Sequence, residues 1–320
     1  MSVRYGSRSR PGTMVSTWLN SLVSGTAPTG AGYFGGGTTG SYVATVDKFS
    51  FPADSRTTLG TGLSVAEFAP AAMANSGTAG YFGGGWDSAR TDTVDKFAFS
   101  DDSRTTLATG LSEAAYALAG MANSGTAGYF ALGAATSGLV TTVNKFAFSD
   151  DSRTTLGTGL SAAVYYLAAM ANSGTAGYFG GGTTGSAVDT VDKFAFSDDS
   201  RTTLGTGLSA ATLAPAGMAN SGTAGYFGGG DTGSLVDTVD KFAFSDDSRT
   251  TLGTGLSSTR NYLAGMANSG TAGYFGGGTT GSVVDTVDKF AFSDDSRTTL
   301  GTGLSAARSH LAAMANTDGL

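Results

Sequence analysis

The stretch MANSGTAGYFGGGTTGSAVDTVDKFAFSDDSRTTLGTGLS, residues 170–209, decides the fold, because from its Tyr-Phe pair onward it recurs along the whole chain. The pair at Tyr178 reappears at Tyr33, Tyr81, Tyr129, Tyr226 and Tyr274, with spacings of 48, 48, 49, 48 and 48 residues. Lys193 repeats in step at Lys48, Lys96, Lys145, Lys241 and Lys289, and Arg201 at Arg56, Arg104, Arg153, Arg249 and Arg297. A fixed period of this length marks a repeat architecture, in which each unit buries its faces against its neighbours. One unit reads as four strands: LAGMAN, the turn SGT, AGYFGGG, a variable loop, DTVDKFAF, the turn SDDS, then RTTLGTGLS. In TVDKFAF, Val191, Lys193 and Ala195 fall on one strand face and Asp192, Phe194 and Phe196 on the other. No segment sustains a helical period, and the recurring glycines would weaken any helix by about 1 kcal/mol each relative to alanine.

Composition agrees with a turn-rich β protein: the 320 residues include 51 Gly and 5 Pro, 13% are charged and 40% hydrophobic, which is too apolar for a disordered tail. The formal charge is −7; Arg4, Arg8 and Arg10 are the only charges among residues 1–30, so the rest of the chain carries −10. An acidic body disfavours contact with nucleic-acid phosphates and leaves the basic N-terminal segment as the place for such contact. With no cysteine, disulfide and thiolate chemistry are excluded. No apolar run is long enough to span a bilayer and no apolar stretch follows the first arginines, so a soluble protein without a Sec-type signal is expected, made in the cytoplasm and working in a virion or outside the cell.

GYFGGG, an aromatic strand ending in a glycine doublet, and TVDKFAF, a third strand ending in aromatics, resemble the kelch repeat from Ala31 onward. The fourth strand departs from that pattern, with Leu107, Leu204 or Leu252 where kelch repeats carry tryptophan. The Gly-, Ser- and Thr-rich style is also similar to repeats in structural proteins of tailed phages. The resemblance implies an all-β, six-bladed β-propeller of four-stranded kelch-like blades over residues 31–320, preceded by an extended docking arm over residues 1–30 that includes Trp18. First strands precede only the last five blades, while LAAMAN at Leu311–Asn316 stands alone at the other end; it is expected to complete the first blade and remove an exposed edge. LVSGT at Leu22–Thr26 competes for the same slot. If it won, the C-terminal strand would complete a neighbouring molecule and make oligomers.

The copies differ in two windows, one after the glycines and one in the link to the next blade, which an up-and-down blade brings to the same face. The first window holds Tyr42, Trp86, Asp87 and Arg90, and the 131–140 loop. The second holds Glu67 and Phe68, Tyr116, Tyr165 and Tyr166, then Arg260, Asn261 and Tyr262, then Arg308, Ser309 and His310. Aromatic, Arg and Asn side chains gathered on one rim suit a partner protein or a surface glycan. Tyr42, Trp86, Asp87, Arg90, Tyr116 and Tyr165 are therefore candidate binding residues, together with Arg260, Asn261, Tyr262, Arg308 and His310. Arg4, Arg8, Arg10 and Trp18 are candidate assembly contacts. On the opposite face, Asp198 and Asp199 are expected to satisfy the SDDS turn and to pair with Arg201, a structural use favoured over calcium binding.

Catalytic motifs are absent or only apparent. GGGTTG at Gly35–Gly40 matches G-x-G-x-x-G, yet a strand follows it where a dinucleotide site needs a helix. SDDSRTTL is similar to a degenerate sialidase Asp-box, a structural element even in sialidases. His310 is the only histidine, leaving little for metal or triad chemistry. The expectation is a non-enzymatic structural or adhesion protein without cofactor or metal. It would be a virion component such as a tail fibre or decoration protein that binds a host surface and assembles with other subunits or with itself. A self-assembling lectin or an intracellular kelch-type scaffold is the alternative.

Overall fold

Each repeat becomes one four-stranded antiparallel sheet. In the fourth sheet the strands Ala168–Asn172, Ala176–Gly180, Val191–Ala195 and Arg201–Thr203 lie side by side in chain order. The computed structural model describes residues 30–317, and among these every regular element is a strand. The arm residues Arg4, Arg8, Arg10 and Trp18 and the competing segment Leu22–Thr26 lie outside the described residues. Six sheets have four strands; a seventh, three-stranded sheet joins Ala115–Tyr116, Ala134–Ala135 and Gly138–Leu139, where the 49-residue spacing lengthens the loop.

The first sheet takes its innermost strand from the far end of the chain. Ala312–Ala315 pairs antiparallel with Ala31–Gly35, setting Tyr33 opposite Met314 and Gly35 opposite Ala312. Asn316 extends the pairing: its amide donates to the Ala31 carbonyl at 2.9 Å, and its Oδ1 accepts the Ala31 amide at 2.7 Å.

Strand alternation sends side chains to two different interfaces, so both faces of each sheet are buried. Phe179 and Phe194 meet edge to face at 5.7 Å and pack with Tyr129 and Val143 of the preceding sheet. Tyr178 and Val191 pack with Phe227 and Phe242 of the following one. The same layer recurs between every successive pair, including sixth and first, where Phe34 and Phe49 meet Tyr274 and Val287. The strand glycine of AGYF has a steric reason: a Cβ at Gly177 would collide with Met121 of the preceding sheet, so methionine fills the space that glycine leaves. The sheets thus pack face to face around a centre lined by their innermost strands, a propeller-like arrangement.

A polar tie repeats in each interface at the SDDS end. Asp199, with φ 57°, accepts the Tyr129 hydroxyl at 2.8 Å and the Lys145 ammonium at 2.7 Å, both from the preceding sheet. Tyr274 and Lys289 hold Asp54 of the first sheet in the same way, at 2.8 and 2.6 Å. This corrects the expected pairing of Asp199 with Arg201: the left-handed turn aims the carboxylate across the interface, and Arg201 lies 3.7 Å from Asp192 instead. Asp198 does close the turn, accepting the Ser200 amide at 3.0 Å.

Candidate binding face

Each link between repeats runs back against the loop that follows the second strand of the sheet it leads into. The pairs are Thr38 with Ser309, Phe68 with Trp86, Tyr116 with Ala134, Tyr165 with Thr183, Leu213 with Asp231 and Asn261 with Thr279. Antiparallel strands reverse direction at every turn, so these loops and links share one end of the molecule and the SDDS turns share the other. The two windows of sequence variation meet there as one surface.

Three consecutive link residues have three destinations. The first points into the interface between sheets: Glu67, Ala115, Val164, Thr212, Arg260 and Arg308 are all buried. The second pairs with the neighbouring loop. The third, at Ala69, Ala117, Tyr166, Ala214, Tyr262 and His310, has φ between 52° and 56° and stands at the axial mouth. A left-handed conformation costs a side-chain-bearing residue about 1 kcal/mol or more. It is held here by a closed circle of backbone hydrogen bonds, in which each amide donates to the preceding residue of the ring at 2.8–3.3 Å and Ala69 donates to His310.

The side chains of that ring are unequal, and the inequality makes the site. Tyr166, Tyr262 and His310 cover the mouth above a small cavity of about 70 Å³. His310 stacks on Tyr262 at 3.6 Å and contacts Phe68 at 4.1 Å, and Tyr166 meets Tyr262 edge to face at 5.1 Å. The tract continues outward over the first three sheets: Tyr116 lies 6.3 Å from Tyr166, Trp86 5.4 Å from Tyr116, and Tyr42 5.9 Å from Phe68. Arg90 sits with its guanidinium 5.5 Å from both the Trp86 and Tyr116 rings. Over the last three sheets the loop positions equivalent to Trp86 are Thr183, Asp231 and Thr279, so the aromatic surface occupies one sector.

Burial sets the electrostatics. It pushes His310 down to about 3, so the ring is neutral at ordinary pH. Tyr166 and Tyr262 are shifted upward by burial, with Tyr262 and Asp231 respectively adding to the effect, and both keep their protons. Glu67 is pushed well up by burial and then by the nearby charges of Asp95 and Asp87.

The structure gathers Tyr42, Trp86, Asp87, Arg90, Tyr116, Tyr165, Tyr262 and His310 on this end, with Tyr42 41% exposed. Asp87 serves its own loop, accepting the Ala89 amide at 3.2 Å. Three candidates do not belong to the surface. Arg260 and Arg308 are 0% and 1% exposed, and their guanidinium groups lie between sheets on Asp288 at 2.8 Å and Asp47 at 3.0 Å. The variation of these two arginines between copies reflects different fillings of an interface. Asn261 is 5% exposed and pairs through its backbone with Thr279 of the neighbouring loop. Two participants stand in the variable link but not among the candidate binding residues: Tyr166, central to the tract, and Phe68. Tyr166 could have been found by aligning it with His310 in the repeat, and Phe68 by its alignment with Tyr116 and Tyr165.

Among the described residues, no group of three or more Asp, Glu or His side chains is arranged to hold a metal ion. Comparison of the sequence with protein-family models and with curated proteins finds no match.

Proposed function

We propose that the chain is a six-bladed, kelch-like β-propeller closed by its C-terminal strand, and that it is a non-enzymatic module binding a saccharide through the aromatic end face. The observation that carries this reading is the tract from Tyr42 through Phe68, Trp86 and Tyr116 to Tyr166, Tyr262 and His310. Other copies place Thr, Ala or Asp at the loop position of Trp86 and Ala, Leu or Val at that of Tyr42, so the scaffold does not demand these rings. Flat aromatic faces offer large, rigid contact at small entropic cost, and the C–H faces of a pyranose match them. The closed reading rests on the pairing of Ala312–Ala315 with Ala31–Gly35 and on the circle of backbone hydrogen bonds through Ala69 and His310.

A binding role fits the chemistry better than catalysis. The histidine is a poor base, and the carboxylates near the tract serve turns or lie in interfaces. We read the protein as a subunit of a larger extracellular or virion assembly, on the strength of the basic segment Arg4–Arg10, the acidic body and the resemblance of the repeats to those of phage structural proteins. A glycan array tests the site: the protein should retain a defined set of saccharides, and Trp86→Ala or Tyr116→Ala should weaken binding by about tenfold or more with the fold intact. Undiminished binding by both variants would remove the site from this face.

A further inference from the structure

Arg90 is the cation of the aromatic face whose terminal nitrogens have no partner among the described residues. Its Nε donates to the Ala134 carbonyl at 3.1 Å, and its guanidinium lies beside the Trp86 and Tyr116 rings. Neither terminal nitrogen makes a hydrogen bond among the described residues, and no carboxylate lies within salt-bridge distance. Every other described arginine has a terminal nitrogen hydrogen-bonded or within salt-bridge reach of an aspartate, and all six lysines are ion-paired with turn aspartates.

Three acids of the surrounding loops are engaged elsewhere, and Asp92, exposed two residues on, forms no ion pair with Arg90. Asp87 accepts from Ala89 and Ser88 within its own turn. Both oxygens of Glu113 accept from Ser137, one from its amide and one from its hydroxyl. Glu67 is buried in the interface towards Asp95. The Arg90 backbone is fixed as well, bridged to Trp86 across the short loop. The equivalent bridge partners in other copies are Tyr42, Ala187, Leu235 and Val283, so the fold does not require a cation at this place.

A planar guanidinium held at Nε and flanked by two rings presents its outer N–H groups as a fork, and that fork fits a carboxylate. The rings beside it offer stacking surface for the sugar that carries the acid. The body charge of −10 opposes a densely charged polyanion and tolerates an isolated carboxylate. We infer that the ligand is a carboxylated saccharide, its acid bound by Arg90 and its ring resting on Trp86 and Tyr116. This rests on the saccharide reading above and narrows it to the acidic class.

Calorimetric titration with saccharide pairs that differ by a carboxylate tests it, using cellobiuronic acid against cellobiose and sialyllactose against lactose. The wild-type chain should prefer the acidic member of at least one pair by about tenfold or more. Arg90→Gln should abolish that preference, and Arg90→Lys should restore part of it, with circular dichroism showing an unchanged fold. Equal affinity for both members in the wild type, or a preference that survives Arg90→Gln, would overturn the inference and leave saccharide binding standing. Binding of neither class by the folded wild type would instead defeat the saccharide reading, and this inference with it.

Discussion

The interface position occupied by Arg308 shows how one residue can change its role between copies of one unit. Arg308 and Arg260 neutralise Asp47 and Asp288, while beside Val164 and Thr212 the carboxylates of Asp192 and Asp240 accept from serine and threonine donors, with Arg201 and Arg249 at 3.7 and 4.0 Å. Glu67 is the misfit, a buried acid facing Asp95, which accepts from the Ser64 amide and the Thr106 hydroxyl. Its carboxyl is shifted upward on folding, so it disfavours the folded state increasingly as pH rises above the unfolded value of about 4.3. Glu67→Gln should therefore raise the melting temperature at pH 7, with the gain shrinking towards zero near pH 4; a gain that does not change with pH would mean that the carboxyl charge is irrelevant. Sequence reading placed Arg260 and Arg308 on the surface because variable positions in a link look alike. Only the three-dimensional path separates a residue aimed between sheets from one aimed at the axis, two places later.

Strands were the most legible level, because alternation and period are both written in residue type. The four strands of each repeat, their turns and the use of Leu311–Asn316 beside the first Tyr-Phe strand could all be read from the repeat itself. The positive-φ ring could not, because its members are Ala, Tyr and His, none of which signals a left-handed backbone. The partner of Asp199 was misread for a related reason: adjacency in sequence favoured Arg201, whereas the turn conformation selected Lys145 and Tyr129 from another sheet. At this scale the C-terminal strand carries a prediction. Removing residues 311–320 would bare the edge of Ala31–Gly35, and bared edges pair between molecules. Size-exclusion chromatography should show oligomers or aggregates with a lower melting temperature, and restoration by the added peptide; an unaltered monomer would show that the strand is dispensable.

Among the described residues the same contacts repeat between successive sheets, the sixth and first included, so a change of pH that acts on one interface acts on its copies as well. The hydroxyls of Tyr33, Tyr81, Tyr129, Tyr178, Tyr226 and Tyr274 are held protonated by burial first and by their aspartate partners second, well above the usual phenol range. Their contribution to stability is complete below the unfolded pKa of about 10 and is lost as pH rises beyond it, each interface pulling in the same direction. Alkaline titration should show these six phenols ionising only together with unfolding, whereas independent ionisation in the folded protein would contradict the ladder. The scaffold is thus nearly uniform, and the aromatic sector is where it departs from uniformity. Among the described residues Trp86 is the only tryptophan, which makes its indole a direct reporter of that sector. The decisive measurement is the Trp86 indole N–H resonance during titration with a glycan-array ligand. A saturable shift of that resonance, with backbone signals around Thr183 and Thr279 unmoved, is the predicted result; an unmoved indole at saturating ligand would contradict the assignment of the aromatic face as the binding site.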